Sequence, residues 1–271
     1  MNDVIFNFFS GYIKEELGIV YNDVNRFGLE KRLEEIKEIL QLDSVEHLLG
    51  YCQENGIKGH TKQLLLDSAT NNETLFFRDK KVFKLIQDYL IPKFLESGKS
   101  NISVRSLACS RGQEPYSLSI IAEECQNDYS FTMSIDASDI SKMVLDYAKQ
   151  GKYSQLEVQR GLSTKYLIRY FKKNEQDYWQ INPEISKRVN FFERNLLDLG
   201  SEKSRYDLIL CRYVLIYQTV EKRKEIIKNI CDLLNSDGVL VLGGTESLIG
   251  LSEDFLAERY LDAVCYRKKD Q

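Results

Sequence analysis

The stretch from Arg105 to Leu118 constrains this chain more than any other. An apolar β-type run, Ile102 to Ala108, breaks into a short polar turn that holds one glycine, Gly112. A helix is expected to begin near Glu114, with Pro115 in its first turn, where the missing N–H costs nothing. Strand, glycine turn and helix N-terminus in that order form the nucleotide-cradling unit of doubly wound α/β folds. The second and third glycines of the usual form are missing, and Glu114 stands where a phosphate would otherwise lie. A carboxylate there repels a pyrophosphate but accepts hydrogen bonds from a ribose or an amino group, or attracts a cation. The turn therefore favours a ligand such as S-adenosylmethionine over NAD or ATP. Taken alone, the segment is equally compatible with an ordinary βα turn.

Around this turn the chain has 271 residues, enough for one large domain or a large one with a small one. Its net charge of -4 gives no global attraction to nucleic acid or anionic lipid. No apolar run approaches the ~20 residues of a membrane span, and the N-terminus lacks the regions of a signal peptide. A cytoplasmic protein that is not membrane-inserted is expected. Cys52, Cys109, Cys125, Cys211, Cys231 and Cys265 form no CxxC pair, and only His47 and His60 could join them around a metal. Buried, reduced thiols and no metal site are the expectation.

Two unequal parts follow from the periodicity. Residues 1–70 read as an all-α N-terminal domain: Val4 to Leu17, Leu29 to Leu40 and Val45 to Cys52 repeat apolar residues at helical spacing, with Ser44 as an N-cap. Residues 71–271 alternate strand and helix. Strands are expected at Ile102 to Ala108, Phe131 to Ile135, Val189 to Phe192, Asp207 to Cys211 and Val239 to Gly243. Helices are expected at Lys80 to Leu95, Glu114 to Cys125, Ser141 to Gln150 and Val220 to Leu234. Short apolar strands between amphipathic helices imply a parallel sheet covered on both faces, with ligands at the strands' carboxyl ends. Within about residues 152–192, a helix from Ser163 to Phe171 and the polar run Tyr178 to Ile181 break the alternation, which suggests a small antiparallel β insertion.

The strand ends supply further polar groups. Asp139 follows the second strand and is placed to bind ribose hydroxyls, although it or Ser141 could equally cap the next helix. Asn195-Leu196 offers an amide and an apolar contact suited to an adenine ring. Arg212 and Tyr217 stand at the mouth of an apolar stretch, where either could simply reach solvent. Where the helical part meets the α/β part, Phe76 and Phe77 precede Arg78, and an arginine there is hard to explain as core.

Asn72, Thr74, Phe76-Phe77-Arg78, Ala108-Cys109-Ser110, Gly112, Glu114 to Ser117, Ala137 to Ile140, Asn195-Leu196, Cys211-Arg212, Ile216-Tyr217 and Thr245 to Leu248 resemble, in order and spacing, the chemotaxis receptor methyltransferases, the CheR family. The resemblance covers about residues 5 to 268. It implies an α/β, Rossmann-like S-adenosylmethionine-dependent methyltransferase domain with a small antiparallel β-subdomain, preceded by a small helical domain that recognises the receptor. The implied reaction methylates glutamate side chains on the cytoplasmic helices of methyl-accepting chemoreceptors, giving methyl esters and S-adenosylhomocysteine. By the same resemblance Asn72, Thr74, Arg78, Glu114, Asp139, Asn195, Leu196 and Arg212 match cofactor-contacting positions, with Tyr213 beside them. Arg78 and Tyr217 match the positions that align the reacting groups.

The chemistry agrees with so sparse an inventory. A glutamate carboxylate is already a nucleophile at neutral pH and a sulfonium already an activated donor, so the enzyme must chiefly orient the two, which can supply as much as ~7–11 kcal/mol. Several residues depart from the family pattern. Tyr213 stands where Asn is usual, and Arg111 and Gln113 replace small hydroxyl and acidic residues of the turn. The helix from Leu29 carries Glu30, Glu34, Glu35 and Glu38, whereas the family's helix tends to be basic, so attraction to an acidic receptor should be weaker. Two other readings follow: a methyltransferase for another protein or a small carboxylate, or a cofactor-binding sensor or scaffold that turns over weakly. Family members that bind a C-terminal receptor pentapeptide carry a glycine-containing insertion in the β-subdomain, and here no glycine lies between Gly161 and Gly200. Calorimetric titration with such a peptide is therefore expected to show no micromolar binding.

Overall fold

The computed structural model describes residues 1–269. Four helices come first: α1 (Asp3–Leu17), α2 (Arg26–Ile39), α3 (Val45–Asn55) and α4 (Gly59–Ala69). Each start and stop has a local cause. The Asn2 side chain accepts the Ile5 N–H and the Ser44 hydroxyl accepts the His47 N–H, while Gly18 ends α1 in the left-handed conformation at φ 70°. Ile5, Phe9, Ile13, Leu29, Leu33, Ile36, Leu48 and Leu65 close a core of their own, each at most 1% exposed. The fourth helix, over residues that carried only a diffuse helical pattern, completes this core with Leu65, Leu66 and Ala69.

The rest of the chain is layered around a seven-stranded sheet. α5 (Lys80–Leu85) runs through a π-helical turn at Ile86–Leu90 into α6 (Ile91–Glu96). Then follow β1 (Asn101–Leu107), α7 (Gln113–Cys125), β2 (Thr132–Asp139), α8 (Lys142–Gln150), β3 (Lys152–Tyr153), α9 (Gln155–Gln159), α10 (Thr164–Tyr170), β4 (Phe171–Lys173), β5 (Trp179–Ile181) and α11 (Pro183–Ser186). β6 (Val189–Glu193), β7 (Tyr206–Cys211), α12 (Val220–Leu233), β8 (Leu234–Leu242), β9 (Phe255–Tyr260) and β10 (Ala263–Lys268) complete it. The sheet order is β6-β2-β1-β7-β8-β10-β9, and its first five strands are mutually parallel.

Period-two burial explains why the central strands are apolar throughout. Leu208 and Leu210 of β7 face one core with α5, α6 and α7, and Ile209 and Cys211 face the other with Ile226, Ile227 and Ile230 of α12. β3, β5 and β4 form the separate antiparallel sheet expected of the insertion, in the order β3-β5-β4. Its tight turn uses Asp177 at φ 67° in place of a glycine. All six cysteines are buried and free.

The expected sheet needs one correction. β10 pairs antiparallel with β8 and β9 antiparallel with β10, so the sheet ends in a hairpin that the sequence reading did not contain. Its strands alternate buried and exposed residues over a short span and carry many charges, which hides them from an apolar-run criterion. Side-chain charge holds the hairpin to the π-helical turn and α6. Arg267 donates to both Glu258 oxygens at 2.6 and 3.0 Å, Lys93 approaches at 3.3 Å, and the Tyr89 hydroxyl donates at 3.2 Å. The Arg267 hydrogen bonds, aided by Lys93, lower the Glu258 pKa to about 2. A carboxyl whose folded pKa is depressed stabilises the fold above its unfolded value near 4.5 and loses that contribution as pH falls toward 2. The Tm difference between wild type and Glu258→Gln is therefore expected to be largest at neutral pH and to shrink between pH 4.5 and 2, as read by thermal denaturation at stepped pH.

Candidate active site

The carboxyl ends of β1, β2, β6 and β7 surround one cleft of about 1060 Å³, open mouth included, at the topological position where doubly wound sheets take ligands. Asn72, Thr74, Arg78, Glu114, Asp139, Asn195, Leu196, Arg212, Tyr213 and Tyr217, singled out from the sequence across some 145 positions, all line it.

The turn after β1 is built to bring backbone close to this space. Ala108 and Ser110 take the left-handed conformation at φ 52° and 49°, and Gly112 follows at φ 87°. Glycine is required at the last: a Cβ there would lie 3.0 Å from Ala148 Cβ and 3.2 Å from Phe191 Cζ. Asp139 fastens the turn. Its Oδ2 accepts the Ser110 N–H at 2.9 Å and its Oδ1 accepts the Ser141 N–H at 3.0 Å, while Ser141, not Asp139, caps α8 through the Val144 N–H. Burial pushes the Asp139 carboxyl above its ordinary pKa, against the pull of those N–H groups.

A chain of charge crosses the floor of the cleft. Glu114, in the first turn of α7, accepts the Ser106 hydroxyl at 2.8 Å and Arg212 Nη1 at 2.7 Å. Arg212 Nη2 donates to Asp79 Oδ2 at 2.8 Å and to the Arg78 carbonyl at 2.7 Å. Arg212 does not reach solvent; its side chain is only 2% exposed. Burial disfavours its charge, and Glu114 and Asp79 outweigh that, so its pKa stands above the ordinary arginine value. Tyr213, in the left-handed region at φ 58°, donates its hydroxyl to Asp79, and its ring lies 3.7 Å beneath the Arg78 guanidinium. A tyrosine at such φ is sterically disfavoured where asparagine is tolerated, so packing must hold it.

The two aromatics before Arg78 brace the loop. Phe76 is fully buried, edge-on to Tyr153 at 4.9 Å and to Phe171 at 5.5 Å, and Phe77 stacks on Tyr166 at 5.3 Å. They fasten the segment to the β-subdomain while Phe77 and Asp79, at φ 50° and 61°, turn Arg78 toward the cleft. Arg78 Nη1 donates to the Glu73 carbonyl at 2.9 Å.

The opposite wall belongs to the N-terminal helices. The Asn195 amide donates to the Glu16 carbonyl at 2.7 Å and accepts the Leu197 N–H at 3.0 Å, so its side chain ties α1 to the turn after β6. Gln218 donates to the Leu17 carbonyl at 3.0 Å, Val20 N–H donates to the Tyr217 carbonyl at 3.1 Å, and Asn71 donates to the Tyr217 hydroxyl at 2.8 Å. Asn72 Oδ1 accepts the Thr70 hydroxyl, and its carbonyl accepts the Ser110 hydroxyl. Leu17, Ile19, Asn71, Asp79 and Gln218 were not singled out from sequence. Asn71, Asp79 and Gln218 adjoin singled-out residues in the sequence; the contribution of α1 is a product of packing.

S-adenosylmethionine fits these residues on two observations. Arg212 Nε is buried without a partner on a residue that lines the cleft, leaving a donor for a polar ligand, whereas the unpartnered Gln218 Oε1 packs against Gly18, where a Cβ would come within 2.0 Å of it. Asp139, at the end of β2, can still accept from ribose hydroxyls through its remaining lone pairs. Among the described residues no group of three or more His, Cys, Asp or Glu could hold a metal ion.

Known proteins place the chain. Residues 72–260 match the family described as "CheR methyltransferase, SAM binding domain". The chain is 32% identical over 269 residues to "Chemotaxis protein methyltransferase 1" of Pseudomonas aeruginosa, covering 97% of each chain. It is 31% identical to "Chemotaxis protein methyltransferase" of Vibrio parahaemolyticus over 275 residues, covering 99% of this chain and 98% of the other. Fold, cleft and these matches together define an S-adenosylmethionine-dependent methyltransferase. The chain belongs to the CheR methyltransferase family.

Arg212 shows how the charged floor can be tested. Removing one partner of a buried pair costs roughly 3–5 kcal/mol because the other charge is left uncompensated. Glu114→Gln is expected to lower Tm and to weaken S-adenosylhomocysteine binding at least tenfold, measured by calorimetry.

Proposed function

We propose that this enzyme transfers the methyl group of S-adenosylmethionine to glutamate carboxylates on the cytoplasmic helices of chemoreceptors, releasing S-adenosylhomocysteine, and that it acts in the cytoplasm. The observation that carries the reading is that Arg78 and Tyr217 line the same cleft, whose floor is the ion-paired Glu114, Arg212 and Asp79. The near full-length likeness to chemotaxis methyltransferases supports the choice of acceptor.

The bound cofactor supplies an activated methyl group on a sulfonium. The protein's own residues bind, orient and exclude water. Glu114, Asp139, Asn72, Thr74, Asn195, Leu196, Arg212 and Tyr213 form the cofactor's surroundings, with Arg212 kept charged and immobile by Glu114 and Asp79. Arg78, stacked on Tyr213, presents a guanidinium whose geometry suits two parallel hydrogen bonds to a carboxylate. Tyr217, held by Asn71, offers its hydroxyl as a donor to the incoming glutamate. Methyl transfer from a cation to an anion consumes both charges. Strong stabilisation of the separated ions would therefore slow it, and rigid orientation is the more effective device.

Residues 1–70 serve in this reading as the receptor-recognition domain, and residues 71–271 as the catalytic one. The exposed face of α2 carries Glu34, Glu35 and Glu38 with Lys31, so recognition rests less on attraction to acidic helices than on fit. The β-subdomain, whose turn lacks glycine, is not expected to tether a receptor pentapeptide, and no nucleic acid partner is invoked.

A transfer assay with labelled cofactor and receptor cytoplasmic fragments tests the reading. Wild-type enzyme is expected to give base-labile label on receptor glutamates. Arg78→Ala and Tyr217→Phe are each expected to lower kcat about ten- to a hundredfold, within the range of groups that position a reaction. Label on another protein, or cofactor binding without transfer, would replace the acceptor or the activity; full turnover by both variants would remove the two assigned roles.

A further inference from the structure

One carboxylate apart from the charged floor organises the loop that carries Arg212 and Tyr217. Glu246 lies in the connection after β8, and its two oxygens accept four backbone N–H groups. Oε2 accepts from Tyr213 at 2.7 Å and from Gly243 at 2.9 Å; Oε1 accepts from Leu215 at 2.9 Å and from Ile216 at 3.3 Å. Three of these donors belong to the loop between Arg212 and Tyr217.

That loop has little of its own to hold it. Leu215–Tyr217 is a single 3-10 turn, and Val214, at its N-cap, supplies no side-chain hydrogen bond. The first N–H groups of such a turn have no partner within it. Glu246 supplies from a distant segment the acceptor that a capping side chain would give. Tyr213 adds a second need, because its φ of 58° is unfavourable for a tyrosine and its N–H is one of those that Glu246 holds.

Both ends of the loop have other anchors: the Tyr217 carbonyl accepts the Val20 N–H at 3.1 Å and its hydroxyl accepts from Asn71 at 2.8 Å. Arg212 is braced by Glu114, Asp79 and the Arg78 carbonyl whether or not Glu246 is present. Between Arg212 and Tyr217, by contrast, Glu246 takes the N–H groups of Tyr213, Leu215 and Ile216. We propose that Glu246 is a positioning residue for methyl transfer, setting Tyr217 and the Tyr213 platform under Arg78 while leaving the cofactor end to Arg212. The identity of the acceptor is taken from the proposed function; the placement of the loop is not.

The chemistry of the site separates this role from simple filling of space. Glutamine keeps the shape but offers one acceptor oxygen and turns an NH₂ toward N–H donors. Gly243 gives an independent route: a Cβ there would come within 2.8 Å of Glu246 Oε2 and 3.0 Å of the Tyr213 nitrogen. Gly243→Ala should therefore displace the carboxylate without removing it, and it would also press on Tyr213 itself, whose Cδ1 would lie 3.0 Å away.

Glu246→Gln and Gly243→Ala would be compared with wild type by amide hydrogen exchange, by S-adenosylhomocysteine calorimetry and by single-turnover transfer to receptor fragments. Expected for both variants are exchange at least tenfold faster at Tyr213, Leu215 and Ile216, a rate of transfer at least tenfold lower, and cofactor affinity within threefold of wild type. Unchanged exchange, an unchanged rate, or affinity lost in step with the rate would overturn the proposal. If Glu246→Gln does not fold, Glu246→Asp, which keeps the charge but withdraws both oxygens by one methylene, carries the same readouts. If wild type transfers nothing to receptor fragments, the proposed function falls, and exchange with the affinity comparison decides the role of Glu246.

Discussion

The buried guanidinium of Arg212 is the point through which the separate pieces of this site are joined. It lies between the first turn of α7, through Glu114, and the segment that turns Arg78 inward, through Asp79 and the Arg78 carbonyl. A cation so enclosed is tolerable only because two carboxylates and a carbonyl answer it, and these come from two separate stretches of chain, α7 and the Arg78-Asp79 loop. The same contacts that make the charge affordable therefore fix the mutual placement of β1, β7 and the entry loop. Burying an ion pair is weak evidence for stability in itself; its consequence here is geometric, since neither carboxylate can move without stranding the other's partner.

Backbone strain collects around that ion. Of the eight non-glycine residues at left-handed φ among the described residues, five (Phe77, Asp79, Ala108, Ser110 and Tyr213) lie on loops beside the cleft. Each such residue costs about 1–3 kcal/mol and persists only where its surroundings over-determine it. The means are visible: the aromatic packing of Phe76 and Phe77 on the β-subdomain, Asp139 on the Ser110 N–H, and Glu246 on the Tyr213 N–H. A reaction between a ready-made nucleophile and an activated donor asks for placement above all, and a strained loop clamped from several sides has few alternative conformations to sample.

The Phe-Phe-Arg segment shows why a short motif can look ambiguous and still serve two purposes. Its aromatics are core and its arginine faces the cleft, so packing and function alternate residue by residue. Tyr213 is similar. Its ring gives Arg78 an aromatic platform at 3.7 Å, while its backbone takes a conformation unfavourable for tyrosine.

Sequence alone determined the alternation of strand and helix, the β1 turn with its single glycine, the antiparallel insertion and the polar residues at strand ends. Those features are local: period-two and helical spacing, capping and turn chemistry act over a few residues and leave a direct imprint. The terminal hairpin of β9 and β10 was not legible, because short alternating strands rich in charge take their identity from the strand beside them. Nor was the tie from the Asn195 amide to the Glu16 carbonyl, or the part of Leu17 and Ile19 in the cleft wall. Whether Asp139 or Ser141 caps α8, whether Arg212 reaches solvent, and which carboxylate holds the Tyr213 loop were decided only by tertiary structure. Each depends on groups far apart in the chain meeting in a low-dielectric space, where the strength of a hydrogen bond or ion pair is set by everything that surrounds it.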